Sequence, residues 1–334
     1  MVGALQRGVG TEVKRHSLQP YVWMLISSIS FSWMVILVNI AGQGAPWPVV
    51  ALVRSLLPLI LVSVWAKADG AKLVWLGSPV LWTRSIAGSI SLVGTFYALT
   101  HMAPSEVQTL GAVFPIWVAL LSWPLLGELP STAVWLSVIS AVIGVAFVQQ
   151  PGVDGINPVA LVVLGVSLFT ALAMMGLHKL KHLDPRAVVA HFSGVSTLIC
   201  GAAVLFIPVA PTEQDFELRH VFALIGVGIT ATIGQFFLTK AFTAGAPARV
   251  SVVSLTQVVF VLLLDLSLLG HTMNGWQFVG IVLILAPTAW IVMRGGGLRR
   301  VKPAPRPMAP AVVPVETSFS GSAWERTARE ALPR

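Results

Sequence analysis

A shift of 143 positions lays one half of this 334-residue chain over the other. Ala98-Leu-Thr100-His-Met-Ala103-Pro104-Ser-Glu-Val107 falls on Ala241-Phe-Thr243-Ala-Gly-Ala246-Pro247-Ala-Arg-Val250, and with no gap Leu125-Leu126-Gly127 meets Leu268-Leu269-Gly270. Eleven of the 30 pairs in that window are identical. An apolar composition produces scattered matches, but it does not hold Ala-x-Thr-x-x-Ala-Pro-x-x-Val in register with a distant Leu-Leu-Gly. An internal repeat of this kind in a membrane chain is the pattern of secondary transporters.

The bilayer as solvent follows from composition. The chain is 56% apolar and 10% charged, with a mean hydropathy of +0.84, whereas soluble domains carry about 25% charged residues. Ten apolar runs lie near 21–42, 47–66, 81–102, 105–127, 132–151, 157–180, 186–209, 220–243, 246–270 and 274–294. A membrane-crossing helix needs about 20 such residues. The turns expected between runs are short and marked by Gly and Pro: Gly42-Gln43-Gly44, Ala103-Pro104 and Gly245-Ala246-Pro247. The first run is too long for a cleavable signal and is followed by nine more.

Lys and Arg set the expected orientation. With the N-terminus inside, the inner segments hold Arg7, Lys14 and Arg15; Lys67, Lys72 and Arg84; Lys179, Lys181 and Arg186; Lys240 and Arg249; and the tail. The outer loops hold Arg219, in the acidic stretch Thr212–Glu217. Five helices per repeat is an odd number, so the second copy starts on the other side. The expected fold is an all-α membrane protein of ten transmembrane helices, built as two inverted five-helix repeats with both termini cytoplasmic. The expected divisions are a segment 1–20, a first repeat 21–151, a second repeat 157–294, and a basic, Pro-rich tail 295–334 that composition reads as disordered. Residues 294–334 hold eight Arg/Lys against three Glu, which accounts for most of the net charge of +8 and removes any need for a nucleic-acid partner. The single cysteine, Cys200, excludes an internal disulfide and a Cys-rich metal site, and reads as a packed small hydrophobe.

Residues 21–294 resemble the drug/metabolite transporter superfamily in its EamA-domain branch. The matching residues are Arg54 in the second run, Phe96-Tyr97-Ala98-Leu99 closing the third, the turn Ala103-Pro104-Ser105-Glu106, Pro115 inside the fourth, and Leu126-Gly127-Glu128 at its end. The second copy departs from the pattern, with Lys240 at the position of Tyr97 and Gly270-His271 where Gly-Glu is preferred. The resemblance implies a carrier of small metabolites, most often an exporter of amino acids or related compounds, in the bacterial cytoplasmic (inner) membrane.

Ionisable groups in hydrocarbon are costly, so each is a functional candidate. Arg54, about seven residues from the outer end of its helix, is suited to clamp a carboxylate, or to serve helix-end carbonyls. Asp265 either carries a coupling proton or is an interfacial acid. It shares a face with Ser254 and Gln257, and the equivalent face of the fourth run carries Gln108, Gly111, Pro115 and Ser122. Tyr97 and His101 lie four apart, His101 as a proton carrier or a bonded turn residue. Glu106 is a coupling candidate or an acid favoured at a helix start. Asn39 with Ser28 and Ser32, and Gln235 with Gly228, Thr232 and Thr239, mark polar faces on the first and eighth runs. Trp33 sits mid-helix, for substrate stacking or core packing, and Gly226-x-x-x-Thr230-x-x-x-Gly234 reads as close helix packing. His191, two turns into the seventh run, reads as interfacial.

The candidate substrate-binding residues are thus Arg54, Trp33, Asn39, Tyr97, Gln108, Gln235 and Gln257, and the candidate proton-coupling residues are Asp265, His101 and Glu106. No cofactor or metal is expected. The expected partners are a small-molecule substrate and the lipid bilayer, with a homodimer left open. The alternatives are a membrane-embedded lipid-modifying enzyme and a passive channel or scaffold subunit. The first would need HExxH, GxSxG or paired acids within a span, and the chain has none.

Overall fold

The computed structural model describes residues 18–99, 101, 104–149, 158–207, 215–269, 274–294 and 299–300. The tail from 301 and the segment 1–17 lie outside the described residues.

Proline starts most of the helices, because its missing N–H falls among donors that have no intrahelical partner there. It occupies the first turn of α1 (Gln19–Gly44), α2 (Trp47–Ala68), α3 (Pro79–Leu99), α5 (Phe114–Leu126), α7 (Pro158–Lys179), α8 (Pro185–Phe206) and α10 (Pro247–Ser254). Two of the other starts carry reciprocal side-chain caps. α9 (Leu218–Ala244) opens on a box in which the Glu217 N–H donates to His220 Nδ1 at 2.9 Å. α12 (Gly275–Arg294) opens on Asn274 and Gln277, each accepting the other's N–H, at 2.9 and 3.0 Å. The remaining helices are α4 (Pro104–Gly111), α6 (Thr132–Gln149) and α11 (Thr256–Leu269). β1 (Glu128–Leu129) pairs antiparallel with β2 (Arg299–Arg300), which brings the end of α5 and the stretch after α12 to one side of the molecule.

Among the described residues, eight segments are long and apolar enough to cross a bilayer: α1, α2, α7, α8, α9, α12, and the joined pairs α4–α5 and α10–α11. α6 is shorter. α3 has the length, at 21 residues, but Arg84, Ser85, Ser89, Ser91 and Thr95 lower its hydropathy. Apolar side chains such as Ile225, Ile229 and Ile233 on α9, or Leu136, Ile139 and Ile143 on α6, point outward, as lipid-facing stripes do. The chain is an integral membrane protein.

Three sequence expectations change in the structure. Gly42-Gln43-Gly44 is not a turn but the end of α1; the chain turns at Ala45-Pro46, because the residue before proline avoids the helical region. Gly44 leaves room for the ring of His220, which a Cβ there would overlap. The fourth run breaks between α4 and α5, and the ninth between α10 and α11. Finally, Arg84 and Arg249 are not surface charges that orient the chain: both are buried, at 1% and 5% exposure.

The longest helix contacts run between the two repeats, and they are reciprocal. α1 packs along α9, and α3, the mate of α9, packs along α7, the mate of α1. α2 packs on its own mate α8, and α6 on its own mate α12. Individual bonds obey the same exchange. Ser27 Oγ donates to the Gly234 carbonyl at 2.8 Å, and the shift turns that pair into Thr170 and Ser91, whose hydroxyls are bonded. Ser140 Oγ donates at 3.1 Å to the carbonyl of Leu283, the residue 143 positions away, so α6 and α12 meet on the pseudo-symmetry axis. Gly144 and Gly280 let these two backbones touch: a Cβ on Gly144 would lie 2.7 Å from the Gly280 carbonyl oxygen. Gly226, Thr230 and Gly234 meet α1 through Leu37, Ser30, Ser27 and Phe31, as close packing requires.

Candidate functional site

α3 is the least apolar of the long helices because it carries a polar face: Arg84, Ser85, Gly88, Ser89 and Ser91 recur at helical spacing. That face turns inward toward α7 and α8, and its Arg84 reaches α9. Gly176 on α7 allows the approach, since a Cβ there would lie 3.0 Å from Arg84 Cβ. The Arg84 guanidinium then lies 3.9 Å over the ring of Phe192 on α8, and Nη2 reaches Gln235 Oε1 on α9 at 3.4 Å. Its Nε and Nη1 are enclosed and have no hydrogen-bond partner among the described residues. Gly88 leaves the space beside Nη1, where a Cβ would lie 3.2 Å from that atom and 2.9 Å from the Phe192 ring.

Arg54, on α2, is half-buried, whereas Arg84 is enclosed. Among the described residues neither forms an ion pair: the acids that pair are Asp69 and Asp184, both with Arg186, and Glu217 with Arg219. Beside Arg54, Ser55 Oγ sits 3.9 Å from Cys200 Sγ across the α2–α8 contact, so Cys200 is a packed interior side chain. Next to Arg84, Ser85 Oγ is bonded to His191 Nδ1 at 2.8 Å, and Ser89 Oγ to Ser196 Oγ at 2.8 Å. Thr239, one turn beyond Gln235 on α9, is fully buried, and its hydroxyl has no partner among the described residues.

Of the residues singled out from sequence, Gln235 therefore meets Arg84, an arginine that sequence reading took for a surface charge. Gln257 lies apart, its carbonyl accepting from Ser32 Oγ at 3.0 Å on α1. Gln108 is half-buried on α4. Trp33 is 42% exposed and Asn39 is exposed, both on the outer surface of α1. Tyr97 and His101 stack on each other at 4.3 Å between ring centroids, at the C-terminal end of α3. His191 is buried and bonded rather than at the membrane surface. The side chains of Glu106 and Asp265 lie outside the described set. A surface hollow lined by Ser63, Val64, Lys67, Ala71 and Leu73 sits at the far end of α2 from Arg54.

The fourth and ninth runs break at equivalent places. Val113 N–H bonds to the Leu110 carbonyl and Ile116 to Val113; Leu255 bonds to Val252 and Val258 to Leu255, all three residues apart instead of four. Ala112 and Leu255 correspond under the 143-residue shift. A tightened turn inside a membrane helix is a place where the chain can flex or receive a ligand.

The EamA-like transporter family matches residues 18–149 and again 157–293, nearly the whole described helical region. The chain belongs to this family. Among its relatives, the pseudopaline exporter CntI of Pseudomonas aeruginosa is 28% identical over 240 residues, covering 71% of this chain and 82% of that one. A probable transport protein of Saccharomyces cerevisiae is 24% identical over 254 residues, covering 68% and 72%. A riboflavin transporter of Brucella anthropi is 24% identical over 217 residues, covering 62% and 76%. A solved crystal structure at 17% identity superposes with a TM-score of 0.70 over 82% of this chain and 98% of its own, which shows a shared fold. An EamA-family protein with such relatives is a small-molecule transporter, and the two family matches coincide with the two halves that pack reciprocally.

Proposed function

We propose that this transporter is a secondary carrier that works by alternating access, spans the bacterial cytoplasmic membrane ten times with both termini inside, and exports amino acids or related small metabolites. The reciprocal packing of the repeats supports this reading above all. Helices of one repeat lie on helices of the other, and each such contact has an exchanged counterpart. Two halves of similar fold but different side chains can trade conformations, and a site between them then opens to one side or the other. The tightened turns near Ala112 and Leu255 supply paired points of flexure.

Ten spans follow when α3 and α6 are added to the eight apolar segments. At about 1.5 Å per residue, 21 and 18 residues reach most of the way across the hydrocarbon core, and the polar side chains of α3 face protein rather than lipid. Orientation with both termini inside rests on Lys67, Lys72, Lys179, Lys181 and Arg186 once the buried Arg84 and Arg249 are set aside. Export is supported by the relative that is named an exporter. Transport is either driven by proton exchange, with Asp265, His101 and then Glu106 as carriers, or uncoupled.

The test is flux from proteoliposomes loaded with a mixture of amino acids and related metabolites and followed by mass spectrometry. The expected result is efflux that saturates with concentration. Flux proportional to concentration identifies a channel, and a modified lipid identifies an enzyme. An imposed pH gradient separates coupled from uncoupled transport: Asp265→Asn should abolish gradient-driven accumulation and keep downhill exchange if that acid carries the proton. In the same preparation, single cysteines replacing Asp154 and Gln214 should react with an impermeant thiol reagent from outside. Cysteines replacing Asp69 and Asp184 should not; labelling of the latter pair from outside would refute the inverted arrangement.

A further inference from the structure

We propose that the hollow at the end of α2 is a binding site for one anionic phospholipid, with Lys67 on its phosphate and the Ser63 hydroxyl on the ester oxygens one turn deeper. This uses membrane residence alone and does not depend on what the protein carries.

The last turn of α2 builds the hollow. Gly70 takes the left-handed conformation, with φ 69°, which other residues rarely adopt. Its N–H donates to the Lys67 carbonyl at 3.2 Å, and the Ala71 N–H to the Ala66 carbonyl at 2.8 Å, the paired closure of a Schellman motif. The chain thereby turns back along the helix, and Leu73 packs on the cluster of Val62, Val189 and Ala190. The helix and the returning segment together line a hollow of about 370 Å³ with Ser63, Val64, Lys67, Ala71 and Leu73. That volume lies within the range of ligand pockets. The place fits a lipid. Ile60 and Val64, 47% and 64% exposed, lead up to it along one stripe of a helix apolar enough to cross a bilayer. Trp65 and Trp75 are both exposed, as rings at a membrane–water boundary are. The hollow thus lies where hydrocarbon gives way to headgroups.

Its polar groups are donors. Lys67 and Lys72 form no ion pair among the described residues, whereas the neighbouring acid, Asp69, is held by Arg186. The Ala66 and Lys67 carbonyls already accept backbone N–H groups, so the helix end does not turn them toward an anion. Ser55, two turns earlier on α2, returns its hydroxyl to the Ala51 carbonyl at 2.9 Å. The Ser63 hydroxyl is enclosed and has no partner among the described residues. Rotation about one bond turns it to the hollow that Ser63 lines. Ser63 and Lys67 stand four apart on one face, so the hydroxyl lies one turn deeper than the ammonium, in the order of ester and phosphate in a phospholipid. A zwitterionic headgroup brings its own ammonium toward these lysines. A free phosphate leaves the wall of Val64 and Leu73 uncovered. An anionic phospholipid matches both the charge and the apolar wall.

The test titrates purified full-length protein in detergent with phosphatidylglycerol, phosphatidylcholine or inorganic phosphate and follows its melting temperature. Phosphatidylglycerol should raise it, and the other two should not. Lys67→Gln should raise the half-maximal lipid concentration by about fivefold, the share of one lysine at an anionic surface. Ser63→Ala should raise it by about threefold, the share of one hydrogen bond. Lys72→Gln removes an equal charge from a residue that does not line the hollow, so it should change little. Ala71→Phe fills the hollow and keeps both lysines, and it should abolish the response. A response that survives in Ala71→Phe overturns the proposal. If that variant does not fold, the two lysines decide: equal losses in Lys67→Gln and Lys72→Gln show diffuse charge attraction and no site. An equal effect of phosphatidylcholine shows a general need for lipid, and an equal effect of inorganic phosphate shows a free-anion site; either result overturns the proposal as well.

Discussion

The fourth and ninth spans make the same bend with different chemistry. In the first repeat the cause is Pro115: it has no N–H to donate to the Gly111 carbonyl, so the turn before it tightens. The second repeat has no proline there. Instead Ser251, Ser254 and Thr256 donate their hydroxyls to the carbonyls of Ala248, Ser251 and Val253, at 3.1, 2.6 and 2.7 Å, and compete with the helical ladder. The buried cations differ more sharply. Arg54 corresponds under the shift to Thr197, and Arg84 to the fully buried Val227. Backbone architecture is thus shared by the two repeats, which differ in where charge is buried: the buried cations stand at different places, Arg84 in the first repeat and Arg249 in the second.

Three measurements break or sharpen this comparison. The shared seam should be the most sensitive place. Gly144→Leu drives a side chain into the Gly280 backbone and cannot be relieved by a rotamer change, so it should cost about 3 kcal/mol or more and leave little folded protein. Gly165→Ala, where nothing lies within 4 Å, is the control, and equal behaviour of the two in thermal unfolding would remove the seam from the account. The second measurement concerns the bends. Pro115→Ala restores a donor, and Ser254→Ala with Thr256→Val removes two competing hydroxyls. Each change should slow amide exchange locally by about tenfold, near 112–116 in the first case and near 255–259 in the second. A response in one repeat only would show that the two bends are not equivalent.

The smallest effect belongs to the starts of α2 and α8. α2 opens on Pro46 with no side-chain cap, whereas Asp184 caps α8 by accepting the Arg186 N–H at 2.8 Å. The Arg186 guanidinium, donating to the same carboxylate at 2.9 Å and also to Asp69 at the end of α2, holds the Asp184 carboxyl below the usual range. A depressed carboxylate contributes stability that is present above its unfolded pKa of about 4 and is lost as pH falls below it. Asp184→Ala should cost about 1 kcal/mol at neutral pH and almost nothing in acid. A cost that stays the same from pH 7 to pH 3 would contradict the pairing.

Much of the site was visible in the sequence yet pointed elsewhere. Arg54 stands out because it interrupts an apolar run. Arg84 sits five residues into its helix, where the same charge serves equally well as an inner-surface marker, and only the serines around it, Ser85, Ser89 and Ser91, signal a buried polar face. Trp33 and Asn39 lie mid-run and near a helix end on α1, and sequence has no means of telling lipid from protein when both are apolar. The two matching bends leave a trace in one repeat, where Pro115 marks the place, and little in the other, where serine and threonine are common helix residues in membranes.

The repeat, the helical runs and the proline turns are properties of the chain itself, because hydrophobic length and backbone geometry act locally. Membrane residence follows from them directly. Which helix lies on which is decided by the fold: α1 on α9, α3 on α7, α6 on α12. Those pairings depend on where glycines such as Gly144, Gly234 and Gly280 admit a neighbour, and a glycine in a sequence does not say who approaches it. The surroundings of Arg84 are of the same kind: they set a helix of one repeat against Phe192 on α8 and Gln235 on α9 of the other, and no spacing along the chain encodes a contact made across the interface between repeats.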